Sequence, residues 1–133
     1  MAWHMLVRCG GFRPFVELHF DRRDIDRFNA EGYTALYHNL AALLRANPSL
    51  RGVMSASWWH DPALSDAFDF VHNIPRQHGA AFFRVGEDAH AAADALRFSP
   101  ERQQLHAQGR YRPAVWMMVW SCRDLLRWDE ASS

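Results

Sequence analysis

Lysine is absent from these 133 residues; all 15 basic side chains are arginine. That absence removes Schiff-base chemistry and a P-loop lysine, and it reads first as the mark of a GC-rich coding bias. An excess of one charge is absent too, since 15 acidic residues balance the 15 basic ones. Such a balance argues against non-specific nucleic-acid binding and against a polybasic membrane patch. Cysteine is scarce: Cys9 and Cys122 show no CxxC spacing, which points to reduced thiols rather than a disulfide framework. No apolar run reaches the roughly 18 residues of a membrane span, and the first residues lack the charged-then-apolar plan of a signal peptide. A cytoplasmic location is therefore expected. Eight histidines form no HExxH, HxH or Cys-His cluster: His38 stands alone, and His72 and His78 lie on either side of Pro75. No metal is expected.

What the chain does have is apolar and aromatic mass: 49% hydrophobic residues, with six Trp and nine Phe. This length and composition fit one α/β domain with a real core, and the aromatics with zero net charge favour self-association. Trp3, Met5, Val7 and Cys9 recur at period two, "GGFRP" supplies a turn, and "FVELHF" alternates again. The pattern predicts a β-hairpin. From Tyr33 the period changes: Leu36, Tyr37, Leu40, Leu43 and Leu44 follow at helical spacing up to Asn47-Pro48. "GVMSASWW" returns to strand character. Asp61-Pro62 then reads as an N-cap and a first-turn proline, opening a helix with Leu64, Ala67, Phe68 and Val71 on its apolar stripe. "AAFFRV" is a strand, Glu87-Asp88 and Ser99-Pro100 open two helices, and Gly109 stops the second. "AVWMMVW" is apolar throughout, so it belongs inside the sheet. Ser121 with Asp124 resembles a capping box for a short last helix.

The expected architecture is a mixed sheet of about five strands, a hairpin followed by a βαβ crossover, flanked by helices. The crossover from residue 15 to 58 brings two strand ends to one edge, where ligands sit in open α/β sheets. His19 and Asp21 end one strand there; Ser57, His60 and Asp61 end the other.

The segments "GYTALYHNLAALLRANPSLRGVMSASWWHDPAL", "HGAAFFRVG" and "SPERQQLHAQGRYRP" resemble an uncharacterised bacterial family whose landmarks are a small-Ser-Trp strand end, a DPAL helix start and a GRYxP turn. Its members are longer at the amino terminus, so a fragment or short paralogue is implied; no activity comes with the likeness. The order of elements also resembles the carboxyl-terminal half of the GNAT acyltransferase fold, whose last strand inserts beside a splayed parallel strand. In that superfamily a Q/R-x-x-G-x-G/A loop binds the pyrophosphate of coenzyme A through helix N-terminal amides. The nearest counterpart is "NAEGYT": Gly32 matches, while Asn29 and Thr34 depart from the pattern, as does the lack of a tyrosine on the helix after the splayed strand.

The GNAT resemblance implies an acyl-CoA-binding or N-acyltransferase domain. Asn29, Gly32, Tyr33 and Thr34 would hold the cofactor, His60 would be the base for an amine acceptor, and Ser57 and Asp61 would lie beside it. The substrate crevice would draw on His19, Asp21, Trp58, Trp59, Arg110 and Tyr111. Arg110 and Arg112 flank Tyr111 in a cationic turn suited to phosphate or carboxylate. Each residue also has a purely structural reading: Asp61 as a cap, one tryptophan as core, Ser55 and Ser57 as small residues under a helix. Two other functions stay open: a non-enzymatic module that forms a homodimer or holds a partner through the Trp pair, and a binding domain for a small apolar or aromatic ligand.

Overall fold

The computed structural model describes every residue except Arg13, Asp21 and Ser133. Four strands form one mixed sheet in the order β1-β2-β4-β3, with β1 Val16–Leu18, β2 Gly52–Ser57, β3 Ala81–Gly86 and β4 Val115–Ser121. β1 and β2 run parallel, while β4 lies antiparallel between β2 and β3. An apolar run with partners on both edges is what "VWMMVW" demands, and β4 occupies that central place. Six α-helices flank the sheet among the described residues: α1 Ala2–Val7, α2 Ala30–Ala46, α3 Asp69–Gln77, α4 Ala89–Arg97, α5 Pro100–Ala107 and α6 Cys122–Ala131. None of them is long and apolar enough to cross a membrane.

The main core lies on the sheet face that carries Val53, Met118 and Trp120, under the Tyr37, Leu40 and Leu44 stripe of α2 and under Leu125 and Trp128 of α6. Tyr37 shows why its helix seats there: its ring meets Trp120 and Trp128 edge-on, and its hydroxyl donates to the Val71 carbonyl at 3.0 Å. The opposite face, with Met54, Met117 and Val119, is covered by Met5 and Cys9 of the amino-terminal segment.

That segment corrects the expected hairpin. Residues 3 to 9 are mostly the helix α1 and not a strand, and the sheet has four strands rather than about five. The period-two apolar positions are not all inward, since Trp3 and Val7 are exposed while Met5 and Cys9, four apart, are buried. Met5 from the helix and Cys9 from the bend after it cover the second sheet face at Val119. The other correction concerns the helix expected from Pro62. A single 3₁₀ turn spans Pro62–Leu64, and α3 begins only at Asp69. At Phe68 the backbone leaves the helical region (φ −120°, ψ 47°), and both Phe68 and Phe70 reach the ring of Phe28.

The caps account for the remaining helix starts. Asp88, Ser99 and Ser121 each accept a backbone N–H from the first turn of α4, α5 and α6. Such caps are worth about 1 kcal/mol apiece.

Candidate functional site

The parallel pair is short. β1 stays in register with β2 from Val16 opposite Val53 to Leu18 opposite Ser55 and then ends, while β2 continues to Ser57. A cavity of about 220 Å³ opens at this parting, roofed by the first turns of α2 and by the segment between β1 and α2. Its walls are largely apolar and aromatic, with Leu18, Phe20, Tyr33, Leu36, Trp59 and Met118 among them. Phe28 braces the wall from behind, meeting Phe20, Tyr33 and Trp59 ring to ring. Asp24, Arg27, His19 and Asn39 supply polar groups.

Inside the cavity sits a hydrogen-bonded pair, Ser55 Oγ and His60 Nε2, 3.0 Å apart. Strand β2 puts Ser55 on the same face as Val53, and the 3₁₀ turn Trp58–His60 folds the chain back so that the imidazole returns over the strand. His60 is only 2% exposed. Burial, with a lesser push from His72, holds its pKa down to about 3. The ring is therefore neutral at any ordinary pH. Among the described residues its Nδ1 has no partner. A bare lone pair is cheaper to bury than an N–H without an acceptor, so the proton belongs on Nε2, which donates to Ser55. His72 follows the same logic: its Nε2 donates to the Trp59 carbonyl at 2.8 Å, leaving Nδ1 bare, and burial lowers its pKa. Both histidines pack against Phe82.

Tyr33 completes the polar inventory. Burial pushes its hydroxyl up to about 12; the nearby Trp59 indole opposes that rise while its own N–H lies outside hydrogen-bonding geometry.

The residues singled out in the sequence scatter around this cavity. Gly32, Tyr33, His19, Trp59 and His60 line it. Asp21 falls outside the described residues. Ser57 ends β2 opposite Trp116 and is not part of the lining. Asp61 is buried as a cap, its Oδ1 accepting from the Ala63 N–H at 2.9 Å. Trp58 packs against Phe68 beneath the Arg102 guanidinium. The cationic turn divides: Arg110 is exposed, Arg112 pairs with Glu87 at 2.9 Å, and Tyr111 turns inward. Burial, then the Asp61 charge, pushes the Tyr111 hydroxyl up to about 12. Sequence reasoning passed over Ser55 as a partner of His60, although a strand followed by a tight turn returns the chain at about that spacing.

No protein-family model, curated protein or solved structure matches this chain.

The start of α2 carries the amides singled out for a pyrophosphate. The Gly32 N–H donates to Asn29 Oδ1 at 2.8 Å, and the Tyr33 N–H donates to the Asn29 carbonyl at 3.0 Å. The Thr34 hydroxyl bonds back to the Ala30 carbonyl, and Glu31 brings a carboxylate into the first turn. Gly32 also has the Arg27 carbonyl packed where a Cβ would stand, 1.9 Å away. Asn29 acts here as an N-cap, and Gly32 is small because backbone crosses it. The amide of Gly32 is thus already engaged by the Asn29 side chain.

Proposed function

We propose that this chain is a GNAT-like acyl-binding domain whose cavity takes the acyl end of a donor such as acyl-CoA. One observation carries the reading: the cavity lies where parallel β1 and β2 part, in a sheet whose last strand is inserted antiparallel beside β2. The GNAT resemblance implies that strand order and that place for a ligand. Binding draws more support than N-acyl transfer to an amine. A general base works best with a pKa near the working pH, and burial takes His60 down to about 3.

The rival reading, a homodimer or partner module built on the Trp pair, draws less support. Trp59 packs against Phe20 and Phe28 and Trp58 against Phe68, so neither stands out as a docking knob.

The test is a thermal-shift titration with free coenzyme A, acetyl-CoA and benzoyl-CoA. A ligand at about 100 times its dissociation constant adds about 2.7 kcal/mol, roughly 10 °C for a domain of this length. The acyl forms should give a saturable shift that free coenzyme A does not, and Ala35→Phe, which fills the cavity from α2, should remove it. A flat response to all three compounds would sink the reading.

A further inference from the structure

We propose that the cavity is selective for an uncharged aryl-acyl group, its ring held by Phe20, Tyr33 and Trp59 and its carbonyl accepting a hydrogen bond from the Ser55 hydroxyl. The inference rests on the acyl-binding reading above and names the class of acyl group.

Ser55 has a donor to offer a ligand. With the His60 proton on Nε2, Ser55 Oγ is an acceptor in that pair, and its own O–H is left to donate. His60 is the one side-chain partner of Ser55 among the described residues. Ser55 is only 9% exposed and lines the cavity, so its hydroxyl can rotate to aim its proton into the space a ligand would fill. A buried donor without an acceptor is costly; a carbonyl oxygen in the cavity relieves that cost. His60 is a positioning residue in this scheme, orienting the hydroxyl by its own N–H.

The size and charge of the cavity favour a neutral ring. The cavity, at about 220 Å³, exceeds by about half the ~150 Å³ apolar cavity that takes up benzene. That leaves room for one ring and a short carbonyl-bearing substituent. Three aromatic walls favour a ring through edge-to-face contacts. A carboxylate beside Ser55 would meet a neutral imidazole and a hydroxyl, while Arg27, the cation of the lining, is solvent-exposed and accompanied by the exposed carboxylate of Asp24, so the desolvation of a charge at Ser55 would go largely uncompensated.

Acetophenone, ethylbenzene and benzoate separate these features, because they share a ring and differ in the carbonyl and the charge. Each is titrated into the full chain, with backbone amide shifts of Ser55 and Trp59 read by heteronuclear NMR. Acetophenone should saturate both signals. Ethylbenzene should bind roughly tenfold more weakly, the fold-change of one neutral hydrogen bond, and benzoate about a hundredfold more weakly or not at all. Ser55→Ala should abolish the preference for acetophenone over ethylbenzene. Equal affinity for acetophenone and ethylbenzene, tight benzoate binding, or no binding by any of the three would overturn the inference. If acetophenone behaves as expected and benzoyl-CoA gives no thermal shift, the cavity assignment stands and the acyl-CoA reading fails. If benzoyl-CoA binds with shifts remote from Ser55 and Trp59, the outcome is reversed.

Discussion

Replacing His60 with glutamine should flatten the acid limb of this protein's stability curve. The native imidazole is enclosed and held to a pKa of about 3 by burial, while in the unfolded chain it titrates near 6.5. Because the folded value is the lower one, the unfolded state binds the extra proton as pH falls through 6.5. Stability is thus fully present above that pH and lost below it, down to about pH 3, by about 1.4 kcal/mol per pH unit. Between pH 7 and pH 5 the one residue accounts for about 2 kcal/mol, or roughly 1 M in the urea midpoint for a domain of this size. His72 and His4, both lowered by burial, act in the same direction. Urea unfolding of wild type and His60→Gln at the two pH values checks this. The variant starts less stable at pH 7, having lost packing against Phe82 and His72, but loses about 2 kcal/mol less than wild type on going to pH 5. Identical losses in the two proteins would refute the reasoning, as would an NMR titration placing His60 near 6.5.

Three further outcomes follow from the packing. Gly32→Ala should destabilise the fold although alanine is the better helix former by about 1 kcal/mol, since its Cβ would strike the Arg27 carbonyl; thermal unfolding followed by circular dichroism reads the sign. Tyr37→Phe removes the buried bond to the Val71 carbonyl and should cost about 1–3 kcal/mol in urea unfolding. Ser121→Ala removes both the acceptor for the Asp124 N–H and the hydroxyl that donates to the Asp124 carboxylate at 2.7 Å. It should cost about 1–3 kcal/mol, with the largest gain in amide exchange at the start of α6.

Local chemistry was legible wherever neighbours in the chain decide it. Asp88, Ser99 and Ser121 announced their helices because a cap needs only an oxygen and the next turn's amides. β4 announced its central place because a strand without a polar face must be covered on both sides. Asn29 shows the limit: the Asn-x-x-Gly spacing by itself reports neither the approach of the Arg27 carbonyl to Gly32 nor the 2.8 Å bond from the Gly32 N–H to the Asn29 side chain. The cavity lining was half visible: His19, Gly32, Tyr33, Trp59 and His60 came from reading strand ends and one helix start, while Ser55 was read only as a small residue under a helix and Ser57, also read that way, was placed beside His60.

The sequence by itself determined the α/β class, the order of helices and strands from residue 15 onward, and the cluster of chemistry at the end of β2, all through short-range periodicity and capping. Three things waited for the tertiary structure. Residues 3 to 9 alternate like a strand, yet Met5 in α1 and Cys9 just beyond its end both pack on the side of the sheet that carries Val119. His60 reads as a titrating base until packing encloses it, and burial, which no neighbour in sequence reports, leaves it neutral. The cavity exists because β1 stops at Leu18 while β2 runs on to Ser57. Where two strands part depends on what packs around them, and that is a property of the assembled fold.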